Sequence, residues 1–336
     1  MSGSIWKLID RAARCLTMVP VIALTAAALV GHATPAASQT YPSRLIKLIV
    51  PFPAGTATDT EARFLADKVG TSLGQKIIVE NKAGANGNLG ATEAARAQPD
   101  GYTLYLATNS THSANIHLYN KLPFDPVADF APIARLTRNP LVFVVNSAFP
   151  VKDVREFIAY AKANPGKLSY GTGNTGSLAA AQLVKSMAGI EAVKVSYQGT
   201  PAAITDLLGG RIEFVITDVA VTREFIAAGT LRALGVTTSV PVGSLPDVPT
   251  LAAAGLPGYD FAAWSGLFAP AGTPKEIVEM LNAAFTAAMS SPEAIKFFAN
   301  IGLEPDTSTA AGLAAHVKTQ TELWGRIIQE SGLEKI

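Results

Sequence analysis

The sequence predicts an α/β fold of two units, each with mixed or parallel sheet flanked by helices. Three observations carry that expectation. Short apolar runs alternate with helical patterns along most of the chain, the signature of βαβ units. At 336 residues the chain can hold two domains of ordinary size. The rhythm restarts near Leu141 and a helical tail follows, so at least two crossovers and a cleft between the units are expected.

Taken in order, Leu45 to Val50 reads as a strand, and Pro51-Phe52-Pro53-Ala54-Gly55-Thr56-Ala57-Thr58-Asp59 as a small-residue loop entering a helix. Such a junction leaves backbone N–H groups unpaired at the positive end of a helix dipole, an anion site that needs no charged side chain. Apolar residues at helical spacing (Ala62, Leu65, Ala66, Val69, Leu73) extend the helix to Gly74. Lys76 to Glu80 is the next strand, and a Gly-rich loop with Gly84, Gly87 and Gly90 opens a helix to about Ala97. Asp100-Gly101 turns into the strand Tyr102 to Ala107, followed by Thr108-Asn109-Ser110-Thr111-His112 and a short helix. In a parallel arrangement these loops meet at the carboxyl ends of the strands, where ligand crevices form.

The second series begins with the strand Leu141 to Val145 and a helix from about Asp153 to Ala163, stopped by Asn164-Pro165-Gly166. Leu168-Ser169-Tyr170 leads into Gly171-Thr172-Gly173-Asn174-Thr175-Gly176-Ser177 and a helix to Ala188. Val193-Lys194-Val195 ends at Ser196-Tyr197-Gln198-Gly199-Thr200, and Phe214-Val215-Ile216 at Thr217-Asp218, each before another helix. Leu231 to Val236 closes the series, Ala263 to Phe268 is a further strand, and the tail from Pro274 reads as helical packing for the first half.

A composition of 49% hydrophobic and 16% charged residues, with 28 Gly and 21 Pro, excludes disorder and favours a well-buried, turn-rich protein. A formal charge of +1 provides no basic surface for nucleic acid. Lys7, Arg11 and Arg14 precede an apolar run from Leu16 to Val30, and Ala36-Ala37-Ser38 fits a small-residue cleavage site, so residues 1–38 read as a secretory signal peptide. A retained anchor is the competing reading, but the run is shorter than the ~20 residues a span needs. Cleavage removes three bases and one acid, turning the charge from +1 to −1. It also removes Cys15, which precedes the apolar run and so does not suit lipidation. The mature chain then has no thiol or disulfide chemistry.

Catalytic and cofactor motifs are weak. Gly171-x-Gly173-x-x-Gly176 matches a dinucleotide fingerprint, but it lies mid-chain, in a polar loop, in an exported protein. Turn chemistry and close helix–strand approach account for these glycines better than a cofactor does. His112 and His117 are five apart, which does not place them on one helix face for a metal. Ser177 and Ser265 lie in no nucleophile elbow. No enzyme activity, cofactor or metal is expected, with an exported hydrolase as the weaker alternative. Asp59 and Asp218 read equally as helix caps or ligand contacts, and Trp264 as core or site. The remaining loops, rich in Thr, Ser, Asn and Gly and poor in fixed charge, suit a small anion held by backbone and hydroxyl groups.

These loops, in this order, resemble the Bug family, the periplasmic substrate-binding components of tripartite tricarboxylate transporters, from about Tyr41 to Ser331. The segments that carry the likeness are Tyr41-Pro42 with Ile49 to Gly55, and Glu80-Asn81 with Gly84, Gly87 and Gly90, then Pro99 to Leu104. Later ones are Ser196 to Gly199, Leu234 to Thr237, Leu245 to Thr250 with Gly255, and Trp264 with Pro270 to Pro274. The resemblance implies a two-domain type II periplasmic-binding-protein fold that closes like a Venus flytrap on a small carboxylate. Domain one would be residues 39–139 plus 262–336 and domain two residues 140–261. Carried over, Phe52, Ala54, Gly55, Thr56, Asp59, Gly87 and Asn88 would cradle a carboxylate. Ser110, Thr111, His112, Thr172, Asn174, Thr175, Gly176, Ser177, Tyr197 and Asp218 would supply the remaining contacts.

The implied partners are that carboxylate and the integral membrane subunits of a tripartite transporter, with the protein monomeric in the periplasm. An extracytoplasmic sensor that presents its ligand to a receptor is the alternative. Departures from the family pattern bear on the ligand. Thr56 stands where a second Gly is usual and disfavours positive φ, Leu178 to Leu183 holds no His, and Gln198 replaces a common Lys. Less charge and more bulk point to a monocarboxylate or aromatic carboxylate over citrate.

Overall fold

A computed structural model describes residues 41–330 and Lys335; the expected leader and Cys15 lie outside the described residues. Strands β1 (Ile46–Val50), β2 (Ile77–Asn81) and β3 (Thr103–Thr108) alternate with helices α1 (Ala57–Leu73) and α2 (Asn88–Ala95). β1 pairs in parallel with both β2 and β3, as the strand–helix rhythm requires. A π-helical turn (Ser110–Ala114) and the short α3 (Asn115–Leu118) follow.

The longest strand, β4 (Phe130–Asn146), runs well upstream of the apolar run Leu141 to Val145 that predicts it. Residues 130–140 contain Pro132 and Pro140 and pair through two register shifts, so no clean alternation marks them as strand. The order continues with α4 (Val154–Ala163), β5 (Ser169–Thr172), α5 (Thr175–Ala188), β6 (Val193–Ser196) and α6 (Thr200–Leu208). Then come β7 (Phe214–Asp218), α7 (Val219–Ala227), β8 (Leu231–Val236), α8 (Leu251–Ala254) and β9 (Ala262–Pro270). The tail is α9 (Lys275–Met289), α10 (Pro292–Asn300), the two-residue β10 (Glu304–Pro305) and α11 (Ala310–Glu330).

The strands form one continuous mixed sheet in the order β2-β1-β3-β9-β4-β7-β5-β6, with β8 and β10 also paired to β4. β4 changes partners along its length. Its first part pairs antiparallel with β9 up to Pro140, and from Leu141 it pairs with β7 and β8. The sheet thus has two halves joined through β4, and β9 returns the chain to the first.

Each half has its own core, the main source of its stability. Ile49, Tyr105, Phe130, Trp264, Phe268, Leu313 and Val317 cluster in the first half. Val142, Val144, Ile204, Leu207, Val215 and Val236 line one face of the second, and Phe143, Phe157, Tyr170 and Phe214 the other. The tail packs on more than the first half. Leu313 and Val317 of α11 join the first core, but Trp324 and Ile328 lie with Leu178, Tyr259 and Phe261 of the second. An apolar stripe that continues along a 21-residue helix reaches both halves, which explains the difference from the expectation. Among the described residues, no helix is long and apolar enough to cross a membrane.

Candidate functional site

The loop after β1 is shaped by its own side chains. Thr56 is the N-cap of α1, with extended backbone (φ −77, ψ 162), and its hydroxyl accepts from the Asp59 amide at 3.3 Å. The same hydroxyl donates to the Pro53 carbonyl at 2.9 Å. Positive φ is carried by Gly55 (φ 80), so Thr56 sits without strain where a second glycine is not needed.

Asp59 is turned inward. Its carboxylate accepts from the Gly55 amide at 3.0 Å, Asn81 Nδ2 at 2.8 Å and Arg63 Nε at 3.0 Å. Burial pushes its pKa up, but the bonds from Arg63, Gly55 and Asn81 outweigh it and hold the carboxyl below the usual value. One amide of the loop is therefore used internally. The helix geometry leaves those of Ala57 and Thr58 as its remaining unpaired donors.

A cleft of about 20 Å³ opens beside this N-terminus, where β4 changes partners. Phe52, Thr56, Thr58, Thr108, Asn109 and Ser110 line it from the first half, and Asn174, Gly176 and Asp218 from the second, with Asn139, Leu141 and Ala263 at the crossing strands. That volume holds about one water molecule, so a larger solute enters only if the walls separate. The loops of the two halves are already in close approach: a Cβ on Gly199 would lie 2.9 Å from the Pro53 ring, and one on Gly176 3.4 Å from Asn109 Nδ2.

Three buried polar atoms on this lining have no hydrogen-bond partner among the described residues: Thr108 Oγ1, Asn109 Nδ2 and Asn139 Oδ1. Buried polar groups are normally paired, so these three are available to bond with water or a solute in the cleft. The sole ionisable side chain on the lining is Asp218. It precedes α7 without capping it, and burial pushes its carboxyl up to about 6.

The other expected residues are placed as follows. Ala54 and Gly55 are exposed at the loop tip. Gly87 (φ 90) lies where a Cβ would come 2.9 Å from Thr111 Cγ2 and 3.0 Å from Pro51. Thr111 accepts from Tyr105 at 3.1 Å and lies 3.1 Å from His112 Nδ1. His112 is in the first core, its ring centroid 4.2 Å from Phe268 and 4.7 Å from Phe130. Burial lowers its pKa to about 3, so it is neutral. Ser177 and Asn174 form a capping box at the start of α5. Tyr197 donates to Asp206 at 2.8 Å, turned toward α6, and Thr172 is buried at the end of β5.

Thr175 and Asn88 are brought together by Asn115, a residue that sequence reasoning missed. Thr175 Oγ1 donates to Asn115 Oδ1 at 2.8 Å, and Asn115 Nδ2 donates to Asn88 Oδ1 at 2.7 Å. Thr58, Thr108, Asn109, Asn139, Leu141 and Ala263 were also missed. For Thr108 and Asn109 the signal was present, because they directly follow the apolar run of β3 and so sit at its carboxyl end. Among the described residues, no group of three or more His, Cys, Asp or Glu could hold a metal ion. A wider hollow of about 690 Å³ along the outer edge, between α1 and β2, draws on none of these loop residues.

Residues 61–333 match the family profile described as TctC, tripartite tricarboxylate transporter family receptor. Protein BugT of Bordetella pertussis is 33% identical over 322 residues, covering 95% of this chain and 98% of that protein. Among solved structures, an R. palustris protein with adipate superposes with a TM-score of 0.86 at 33% identity, covering 88% of this chain and all of that one. The periplasmic binding protein BugD gives 0.84 at 32% identity over 88% of this chain and 100% of its own. MatC from Rhodopseudomonas palustris with bound malate gives 0.81 at 33% identity over 86% and 100%.

Proposed function

The chain belongs to the tripartite tricarboxylate transporter receptor family of solute-binding proteins, and from that premise we propose that it captures a small carboxylate in the β4 cleft and delivers it to the membrane subunits of such a transporter. In this reading residues 1–38 direct it to the periplasm, where it acts as a monomer and a binder, without catalysis. Residues 39–139 plus 262–336 act as one domain and 140–261 as the other, and they part and close about the point where β4 changes partners. The relatives solved with adipate and malate support a carboxylate as the solute class.

The observation that carries this reading is the set of unpartnered buried donors and acceptors, Thr108, Asn109 and Asn139, beside the N-terminus of α1. A carboxylate there would take the amides that α1 leaves unpaired and the Asn109 amide group. With no Lys, Arg or His on the lining, a monocarboxylate or aromatic carboxylate fits better than citrate, whose extra charges would be buried without partners. A thermal-shift screen of carboxylates tests it, since binding to the native state raises apparent stability. Benzoate-type and small monocarboxylic acids should raise the midpoint more than citrate. A shift with citrate and none with the monocarboxylates would overturn the ligand preference.

A further inference from the structure

The cleft contains an imbalance that the carboxylate reading leaves open. The first half supplies the amides and hydroxyls suited to an anion, yet the second half presents a carboxylate, Asp218, to the same cavity. Asp218 stands at the last position of β7, opposite Leu141 on β4, at the point where the crossing strand changes partners. It makes no ion pair among the described residues, and the helix that follows takes no cap from it. Nor does any basic side chain share its lining. Its own backbone amide and the Thr217 hydroxyl offset only part of the cost of burying it. A buried carboxylate without a cation is costly, and proteins retain one where a partner arrives or where the proton stays on.

Resting on the carboxylate-binding reading, we propose that Asp218 receives an ammonium group of the ligand, so that the solute is a zwitterion carrying both a carboxylate and an amine. The carboxylate end meets the N-terminus of α1 and Asn109, and the ammonium end meets Asp218. Each charge then finds its complement, and the complex buries no net ligand charge. A dicarboxylate of the same length would place its second carboxylate against Asp218 with no cation to relieve the repulsion. Asn139 Oδ1, buried and unpartnered on the same lining, is a second acceptor suited to an N–H donor.

The test is calorimetric titration of the full mature chain with matched probes. One set is succinate, butyrate, γ-aminobutyrate and α-aminobutyrate; a longer set is adipate, hexanoate, ε-aminocaproate and norleucine. In at least one set an amino acid should bind about tenfold or more tighter than the dicarboxylate. In Asp218→Asn that preference should fall to about threefold or less. Dicarboxylates binding as tightly as the amino acids would overturn the inference and leave the carboxylate reading standing, as would a preference that survives in a folded Asp218→Asn. Absence of binding by every probe and every other carboxylate, with a cooperative melt, would overturn both. The wild-type comparison decides the matter even if the variant fails to fold.

Discussion

Ser265 on β9 donates a 2.7 Å hydrogen bond to Glu61 Oε1 on α1, and its hydroxyl also lies 2.7 Å from Thr137 Oγ1 on β4. Thr137 and Ser265 are register partners, and the Thr137 hydroxyl reaches the same carboxylate at 3.3 Å. A single fully buried acid therefore ties the helix that starts at the cleft to both strands that link the two halves. This gives α1 a fixed seat on the sheet, so that its N-terminal donors are held in place beside the cleft.

Glu61 should make stability depend on pH in a defined window. Burial raises its pKa from 4.5 to about 7, against partial relief from Ser265 and Thr137. The folded state thus holds the proton more tightly than the unfolded one. The stabilisation is complete below pH 4.5 and lost as pH rises toward 7. The size is roughly 3 kcal/mol. Glu61→Gln keeps a polar group for both hydroxyls and removes the titration. In urea melts, the variant should gain on the wild type as pH rises from about 5 to about 8. A difference that stays constant across that range would count against the assignment.

Thr56 caps α1 while lining the cleft. Thr56→Ala should cost about 1 kcal/mol of stability, and Thr56→Gly only a few tenths, because an N-cap glycine leaves room for water to solvate the helix end. Removing the side chain also enlarges the first wall. Thr56→Gly should therefore shift the ratio of citrate to benzoate affinity by about tenfold. An unchanged ratio in paired titrations would place the selectivity in the second half.

How far the sequence could be read depended on whether a signal was local. Strands β1, β3 and β5 and helix α1 carry their own periodicity, and small-residue loops at the strand ends line the cleft. The choice among loop residues was not local. Asp59 and Tyr197 have the chemistry of ligand contacts, yet each is satisfied by a protein partner, Asn81 for one and Asp206 for the other. Asn139 and Asn115 were missed for the converse reason. Each has an unremarkable sequence context, and its position is set by strand pairing or by a partner 60 residues away, as with Thr175. The extent of β4 was hidden by Pro132 and Pro140, which break the alternation without breaking the strand.

Gly173 has a packing role in the Gly171–Gly176 loop. A Cβ at this position would overlap the backbone of Gly199 and Thr200 at the start of α6. The glycine is there for close approach of two loops within the second half. Gly173→Ala must displace backbone, and it should lower stability by about 3 kcal/mol. Gly189→Ala is a useful contrast, because nothing lies within 4 Å of its Cβ and only its positive φ of 62 opposes the change. Denaturant melts that find the two variants equally destabilised would argue against the close-packing account.

Asn115 joins the two walls, accepting from Thr175 on α5 and donating to Asn88 on α2. It also donates to the Asn86 carbonyl at 3.1 Å, so its NH2 is anchored within the first half while its oxygen takes the bond from the second. Asn115 and Thr175 are both fully buried, and opening the cleft would have to break the bond between them. A lost hydrogen bond of this buried kind is worth about 1–3 kcal/mol. Asn115→Ala should therefore disfavour the closed arrangement and weaken carboxylate binding about tenfold, chiefly by faster dissociation. Small-angle scattering should find the ligand-free variant more expanded than the wild type. The same comparison on Thr175→Val tests the pair from the other side, since this change removes the hydroxyl while keeping the shape. Wild-type dissociation rates in both variants would mean that the bridge does not hold the cleft shut.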